Sequence, residues 1–236
     1  MLNVDGGENV APGTFSPLSK RQRVTKRIFD LVVSIPLIIV LSPIFILLCV
    51  LVKSTSRGTI IFRAQRIGLN GKPFTMYKFR SMVETDASRT HKIVSHQDHR
   101  VTKIGRIIRR TKLDELPQFF NVVNGTMSIV GPRPQNADFI SRYTDEERAV
   151  LRIRPGITGP GTVVNYEKLL TGATPEENEK IYFETLLPDR LRCELVYLKD
   201  WSLKTDIQII GRTMVSMISR SNDRRVTPLY RSPRAT

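Results

Sequence analysis

The strongest constraint on the fold is an uncharged apolar run at residues 31–52. As a helix rising 1.5 Å per residue, this run extends about 33 Å and matches the hydrocarbon thickness of a bilayer. Ser42 and Pro43 lie near its middle, where proline removes a backbone hydrogen bond and the serine hydroxyl can bond the freed carbonyl. The sequence therefore predicts a membrane-associated helix that bends or breaks at Ser42-Pro43.

Basic residues flank this run on both sides. Lys and Arg occur five times at positions 20–27 and four times at positions 53–66, and neither stretch contains Asp or Glu. Because basic flanks favour the cytoplasmic side, both ends of the run prefer the cytoplasm. A spanning helix would export one cluster, whereas a helix that enters and returns keeps both inside, and the pattern alone leaves both topologies open.

The overall charge indicates an anionic partner. Lys and Arg number 37 against 22 Asp and Glu, a formal net charge of +15, which suits a phosphate-rich ligand, nucleic acid or acidic lipid. No nucleic-acid-binding motif with base-stacking aromatic residues occurs in the sequence, so nucleic acid is not expected as a partner. The 40% hydrophobic and 25% charged fractions exclude a disordered polycation and a multi-span membrane protein.

Composition divides the chain into four segments. Residues 1–19 contain Gly and Pro with little periodicity and are interpreted as a disordered lead. Residues 20–53 hold the basic flank and the membrane helix, and residues 54–218 form the main body. Residues 219–236 are interpreted as a basic tail.

The body begins with the pattern of a β-hairpin. Strands are predicted at residues 59–63 and 73–80 around Asn70-Gly71, a dipeptide that tolerates positive φ in tight turns. Lys78 and Arg80 share one face of the second strand, either as a solvated edge or as a pair of cations directed into a site. Residues 101–112 then predict an amphipathic helix with a basic side, which suits either a core or a membrane interface.

A polar loop at residues 84–100 contains all three histidines, His91, His96 and His99. No neighbouring Cys or His completes a typical ligand set, so a zinc site is not predicted there.

Two adjacent carboxylates, Asp114 and Glu115, precede a short apolar helix that has Pro117 in its first turn and Gly125 at its exit. In an ordinary protein such acids cap the helix. Here residues 53–135 contain 16 basic and five acidic side chains, a net of +11. A carboxylate pair in such surroundings stays ionised, which suits a nucleophile or a metal ligand.

An arginine stands between two prolines shortly afterwards. A strand is predicted at residues 128–130, followed by Gly131-Pro132-Arg133-Pro134. This rigid turn holds the Arg133 fork in one direction, and arginine binds phosphate through two parallel hydrogen bonds. A structural turn explains the prolines equally well, although it does not require the arginine.

Several long motifs resemble those of one bacterial enzyme family. They read KRIFDLVVSIPLIIVLSPIF, GKPFTMYKFRSM, DHRVTKIGRIIRRTKLDELPQFFNVVNGTMSIVGPRPQ and RPGITG, and they cover roughly residues 26–159 in order. The chain resembles the bacterial sugar-transferase family of monotopic polyprenyl-phosphate phosphoglycosyl transferases, in its short catalytic-core form. The likeness continues weakly to about residue 218.

The resemblance implies transfer of a sugar 1-phosphate from a UDP-sugar to undecaprenyl phosphate, with release of UMP, as the initiating step of bacterial surface glycan or glycoconjugate assembly. It implies that Asp114 is the nucleophile, which forms a phosphosugar-aspartate intermediate, and that Glu115 helps to hold Mg²⁺. Lys78, Arg109 and Arg133 match positions that bind substrate phosphates, consistent with the charge that must be neutralised in such transfers.

The resemblance also implies a topology, because Ser42-Pro43 matches the break at which the family's membrane helix re-enters. The expected fold class is α+β and predominantly helical, with an N-terminal re-entrant, monotopic membrane helix broken at Ser42-Pro43. A compact cytosolic catalytic domain with interfacial amphipathic helices and a β-hairpin follows. The expected location is the cytoplasmic face of the bacterial inner membrane, with anionic lipids as partners. The sequence does not fix the oligomeric state and leaves a homo-oligomer open.

One segment departs from the family pattern. Many relatives continue after RPGITG with a Trp-Ala-Gln-type sequence, whereas this chain has Pro160-Gly161-Thr162. Because this region is associated with nucleotide or sugar recognition, the resemblance does not identify the sugar.

Overall fold

The computed structural model describes residues 18–55, 58–83, 100–161 and 174–218. Within these ranges the protein is mostly helical and carries small sheets beside a long apolar helix, which confirms the predicted mixed, mainly helical class. The three histidines, Thr162, the basic tail at 219–236 and most of the predicted lead at 1–19 lie outside the described residues. The predicted division into four segments stays a prediction.

Helix α1 is a single helix, Lys20–Thr55, with Pro36 and Pro43 inside it. Ser42 Oγ donates a hydrogen bond to the carbonyl oxygen of Ile39 at 2.8 Å. This is the carbonyl that residue 43 would bond if it had an N–H, so the serine compensates the proline as the sequence predicted. Helical residues nevertheless continue without a gap through Ser42-Pro43. The structure thus has one helix with two prolines, and a bend at Ser42-Pro43 stays a prediction.

Most of the apolar surface of α1 faces away from the rest of the protein. The helix is long and apolar enough to cross a membrane, and its most apolar segment is only 11% buried. Large side chains stand exposed along it, among them Val32, Ile39, Val40, Ile46 and Val50. So much contiguous apolar surface requires a covering, which supports association with a membrane. The re-entrant course stays a prediction.

The N-terminal third of α1 joins the body through buried polar contacts. Lys26 Nζ lies 2.5 Å from Asp206 Oδ2, and both side chains are almost fully buried. Tyr197 donates its hydroxyl to Asp206 Oδ1 at 2.7 Å. One turn further along, Asp30 accepts hydrogen bonds from the Ser128 hydroxyl and from the backbone N–H of Ile129, each at 3.0 Å. These contacts fix the position of the first turns of α1 relative to the rest of the protein.

A β-hairpin follows α1, as predicted. Strand β1, Ile61–Ile67, pairs antiparallel with β2, Pro73–Phe79. The connection is a short 3₁₀ turn in which Asn70 has φ 57° and Gly71 has φ 75°. The asparagine-glycine pair supplies the two left-handed residues that this turn requires. The first strand runs four residues beyond the predicted end at residue 63.

The next segment contains short helices separated by sharp turns. Helix α2, Lys103–Arg110, begins at Thr102, whose hydroxyl accepts the N–H of Gly105 at 2.8 Å. A 3₁₀ turn, Leu113–Glu115, then precedes helix α3, Gln118–Val123. Helix α3 ends before Gly125, which has φ 79°. The predicted glycine exit is confirmed.

A small parallel sheet lies at the centre of the body. Strand β3, Ser128–Val130, pairs with β4, Gly156–Thr158, and the predicted strand at 128–130 is confirmed. The two strands approach so closely that a Cβ at Gly156 would lie 2.1 Å from the backbone nitrogen of Gly131. Glycine is therefore required at position 156.

Helices from the second half of the chain complete the body around this sheet. Helix α4, Ala137–Ile140, and a 3₁₀ segment, Glu147–Arg152, lie between β3 and β4. The remaining helices are α5, Pro175–Ile181, α6, Leu187–Lys199, and α7, Leu203–Ile218, with a π-helical turn, Tyr182–Leu186, joining α5 to α6. The core between these elements contains fully buried Val122, Met127, Val130, Tyr197 and Ile209.

The buried ion pair gives a test of how α1 is held. We expect Asp206→Asn to lower the free energy of unfolding by about 3 kcal/mol, because it leaves the buried Lys26 charge without a counterion. The double variant Lys26→Met/Asp206→Leu should recover most of this loss. Denaturant unfolding of the detergent-solubilised protein measures both, with the exposed Asp200→Asn as control. Equal effects of Asp206→Asn and Asp200→Asn would contradict the assignment.

Candidate active site

The candidate site is built around the turn that carries Asp114 and Glu115. Lys112 has a left-handed conformation, with φ 59°, and the chain then closes the 3₁₀ turn Leu113–Glu115. Leu116 and Pro117, which follow this turn, are both in a right-handed helical conformation and lead directly into helix α3 at Gln118. Asp114 therefore lies in the helical turn that opens the apolar helix, at the position that the sequence predicted.

Cations from two distant segments converge on Glu115. Lys78 Nζ, on β2, lies 2.8 Å from Glu115 Oε1. Arg133 Nη2, in the turn after β3, lies 3.8 Å from the same oxygen. The structure thus brings together Lys78, Glu115 and Arg133, and the alternative of Lys78 on a solvated strand edge is wrong.

Arg109 belongs to the same neighbourhood. It lies in the last turn of α2, where its guanidinium contacts Met82 Sδ at 3.3 Å. Its positive charge is close enough to contribute to lowering the pKa of Asp114. The sequence therefore predicted correctly that this arginine lies near the carboxylates.

The surroundings shift the pKa values of the two carboxyl groups in opposite directions. Burial raises the pKa of Asp114 to about 6, and the neighbouring Glu115 charge adds to the increase, while Lys78, Lys112 and Arg109 partly offset it. Burial also acts to raise the pKa of Glu115, but Lys78, Arg133 and Lys112 outweigh it and lower the pKa to about 2. Glu115 is thus held as a carboxylate, whereas Asp114 is poorly stabilised when charged.

Asp114 has an oxygen without a protein partner. Only 8% of the residue is exposed, and within the described ranges its buried Oδ1 has no hydrogen-bond donor. A buried polar atom normally finds a partner, because leaving it unpaired costs about 1–3 kcal/mol. An orphaned carboxylate oxygen beside several cations is therefore a strong indication of a place where a ligand atom binds or reacts.

The carboxylates are compatible with Mg²⁺. In phosphoryl-transfer sites this ion is commonly held by one or two carboxylates, while substrate phosphates and water supply the other oxygens. The carboxylate of Glu115 and the unpartnered Oδ1 of Asp114 are such oxygen ligands. Among the residues that the structure describes, no group of three or more His, Cys, Asp or Glu side chains forms a metal site. A magnesium ion here would therefore need substrate oxygens.

An apolar cavity adjoins the turn. It has a volume of about 130 Å³ and lies between the middle of α1 and the start of α3. Leu41, Ser42 and Phe45 of α1 line one side, and Leu116 and Phe120 line the other. Leu116 is two residues from Asp114 along the chain, so one wall of the cavity belongs to the segment that carries the carboxylates.

Sequence reasoning missed two contributors to the site. Lys112 lowers the pKa values of both carboxyl groups, but its left-handed conformation had no sequence signal. Glu194, on α6, accepts the backbone N–H of Arg133 at 3.0 Å. It lies 61 residues further along the chain, and no local pattern distinguishes it from other helical acids.

Comparison with known proteins identifies the family of the chain. Residues 21–220 match the family described as bacterial sugar transferase. The chain belongs to the bacterial sugar transferase family. The matched range contains the membrane helix and all the candidate site residues, including Asp114, Glu115 and Arg133.

Individual sugar transferases match over most of this chain. A UDP-glucose:undecaprenyl-phosphate glucose-1-phosphate transferase of Klebsiella pneumoniae is 37% identical over 211 residues, covering 88% of this chain and 43% of the relative. The undecaprenyl-phosphate galactose phosphotransferase of Salmonella typhimurium is 36% identical, covering 86% and 42%. A UDP-glucose:undecaprenyl-phosphate glucose-1-phosphate transferase of Caulobacter vibrioides is 34% identical, covering 93% and 80%. The chain thus spans less than half the length of the first two relatives.

The raised pKa of Asp114 predicts that the stability of this sugar transferase depends on pH. A carboxyl with a pKa of 3.8 when unfolded and about 6 when folded releases its proton less readily in the folded protein. The free energy of unfolding therefore falls as the pH rises from about 4 to 6, by up to about 3 kcal/mol. We expect Asp114→Asn, which removes the charge, to unfold at a higher temperature than the unsubstituted protein at pH 7, with little difference near pH 4.

Thermal unfolding in detergent at both pH values measures this effect, and the exposed Asp145→Asn is the matched control. A stabilisation that is the same at both pH values, or none at pH 7, would contradict the assigned ionisation of Asp114.

Proposed function

We propose that this sugar transferase moves a sugar 1-phosphate from a UDP-sugar to undecaprenyl phosphate and releases UMP. The named relatives are undecaprenyl-phosphate sugar phosphotransferases, and two of the three use UDP-glucose according to their names. The observation that carries the proposal is the buried, unpartnered Oδ1 of Asp114 among Lys78, Lys112 and Arg109. This arrangement suits attack on a phosphate group.

In the first step, a carboxylate oxygen of Asp114 attacks the phosphorus next to the sugar. A bond forms between that oxygen and phosphorus, and the bond from phosphorus to the UMP oxygen breaks, with its electron pair leaving on UMP. The product is a phosphosugar-aspartate intermediate. Burial supports this role, because a poorly solvated carboxylate is more reactive toward phosphorus than a fully hydrated one.

The cations around the carboxylates bind the donor phosphates in this proposal. Lys78 and Arg133 flank Glu115 Oε1 at 2.8 and 3.8 Å, and Arg109 lies beside Asp114. They offset the charge that accumulates as an anionic nucleophile approaches an anionic diphosphate. Mg²⁺ held by Glu115 would supply further charge neutralisation when bound.

In the second step, a phosphate oxygen of undecaprenyl phosphate attacks the same phosphorus. The new P–O bond forms as the bond to Asp114 breaks, and the carboxylate of Asp114 is restored. The apolar cavity of about 130 Å³ supports a lipid acceptor, because it is lined by residues of α1 and by Leu116, close to Asp114 in the chain. A hydrocarbon chain can leave the bilayer along α1 and reach the carboxylates without crossing water.

We place the reaction at the cytoplasmic face of the bacterial inner membrane. The exposed apolar surface of α1 and the basic residues at both its ends support a helix that enters and returns on one side. Anionic lipid headgroups would bind those basic residues. Both the soluble donor and the lipid acceptor then meet at one surface.

The nucleophile is tested by substitution. We expect Asp114→Asn to reduce lipid-dependent UMP release by roughly 10³-fold or more, because the amide cannot form the covalent intermediate. The assay uses purified protein in detergent with Mg²⁺ and a panel of UDP-sugars, with and without undecaprenyl phosphate. Asp145→Asn, an exposed acid, is the control and should retain full activity.

This panel also identifies the sugar, since only the correct donor should give UMP release that depends on the lipid. Retention of full turnover by Asp114→Asn would remove the nucleophilic role of Asp114. Absence of release from every donor by the unsubstituted protein would contradict the proposed reaction itself.

A further inference from the structure

The turn that carries Arg133 is held by bonds from several elements. The N–H of Gly131 donates to Thr158 at 2.9 Å, and the carbonyl of Pro132 accepts from Gly156 at 2.8 Å. The carbonyl of Gln135 accepts from the N–H of Ile67 at 2.9 Å. Strands β4 and β1 therefore fix the two ends of residues 131–135, here named the Arg133 loop.

The middle of the Arg133 loop has a single backbone donor. Pro132 and Pro134 have no N–H, so Arg133 supplies the only one between residues 132 and 134. Neither β-strand bonds this group. It donates instead to Oε1 of Glu194 on α6, at 3.0 Å. The orientation of Arg133 at the centre of the loop thus depends on one side chain from a distant helix.

Glu194 is only 2% exposed, and most buried positions next to it on α6 are apolar, such as Leu191 and Leu195. The buried Arg190, one turn earlier on α6, is a nearby positive charge, and the backbone N–H of Arg133 donates a hydrogen bond to Glu194. An ionisable side chain is rarely buried to this extent without a specific partner. One partner is therefore the backbone of the residue that directs a guanidinium toward Glu115.

We propose that Glu194 is a positioning residue, which holds the Arg133 loop so that the guanidinium of Arg133 is aimed at the donor phosphates beside Glu115. This inference rests on the proposed function, because it assigns the phosphate contact to Arg133. Glu194 itself does not touch the substrate. Its action is transmitted through the backbone of Arg133, just as the partners of metal-binding or catalytic side chains fix their orientation.

The hydrogen bond does not require a fully charged acceptor. Burial raises the pKa of Glu194 to about 7, although Arg190 and the Arg133 N–H and charge act against the increase. A neutral amide oxygen in the same position can therefore accept the Arg133 N–H. Glutamine should preserve the function of Glu194, whereas leucine, of similar size, should remove it.

The test is a double-variant cycle in the complete chain. Steady-state kcat and KM for the UDP-sugar, together with the dissociation constant of UDP, are measured for Glu194→Leu, Glu194→Gln, Arg133→Ala and Arg133→Ala/Glu194→Leu. Leu195→Ala is the matched control, because it removes buried packing from the adjacent position of α6 and keeps the hydrogen bond between Glu194 and the Arg133 N–H. It shows what a loss of stability alone does to the kinetics.

We expect Glu194→Leu to lower kcat/KM by roughly 10- to 100-fold, the range typical for loss of an orienting partner. Glu194→Gln should recover activity to within about 3-fold of the unsubstituted protein. In the Arg133→Ala background, Glu194→Leu should cost no more than about 2-fold further, because the two residues act as one unit.

Multiplicative losses in the double variant would overturn the inference, as would equal damage from Gln and Leu. So would a matching loss in Leu195→Ala at the same fall in unfolding temperature. Failure of the proposed function is a separate result: the unsubstituted protein would then neither turn over a UDP-sugar nor bind UDP.

Discussion

The site depends on the ion pair between Lys78 and Glu115. This contact, 2.8 Å long, joins the hairpin to the turn after α2 and leaves the adjacent Asp114 without an equivalent partner. Two neighbouring carboxylates in one low-dielectric pocket cannot both be stabilised as anions. The cations satisfy Glu115 and lower its pKa to about 2, while burial raises that of Asp114 to about 6. Glu115 is thereby held as a carboxylate, whereas Asp114 is poorly stabilised when charged, which under our proposal suits it to act as the nucleophile.

Contacts at two places along α1 hold this apolar helix against the rest of the protein. Lys26 and Asp30 anchor the start of α1 to α7 and β3, and Phe45, past Pro43, packs against Phe79 and Phe120 with ring centroids 4.8 and 5.6 Å apart. The helix therefore contacts the body on both sides of its proline, while most of its apolar surface stays outward. Under our proposal, this arrangement brings a lipid-borne phosphate to a soluble donor. The apolar cavity between α1 and α3 is the place that this proposal assigns to the lipid acceptor.

Local sequence signals predicted the local structure well. Asn70-Gly71 indicated the hairpin, because few other residues adopt two consecutive left-handed conformations, and Gly125 indicated the exit of α3. The motifs also indicated Lys78, Glu115 and Arg133, which the structure brings together. These features depend on a few adjacent residues or on long motifs in a fixed order.

Other features depend on tertiary contacts and had no local signal. The change of direction between α2 and the turn that carries Asp114 occurs at the left-handed Lys112, a conformation that lysine rarely adopts and that surrounding packing must impose. In the sequence, Glu194 does not differ from other acids on helices, and only the tertiary fold brings its carboxylate to the backbone N–H of Arg133. The continuous helical path through Pro43 was likewise not evident, since proline also commonly ends a helix.

The central claim is that Asp114 becomes covalently bound to the phosphosugar. Mass spectrometry of the protein after incubation with its UDP-sugar and Mg²⁺, without the lipid, tests it most directly. We expect a mass increase equal to one sugar phosphate, located by proteolysis in the peptide that contains Asp114. This added mass should disappear when undecaprenyl phosphate is added. If an active enzyme shows no adduct under rapid quenching, or an adduct on another residue, Asp114 is not the nucleophile.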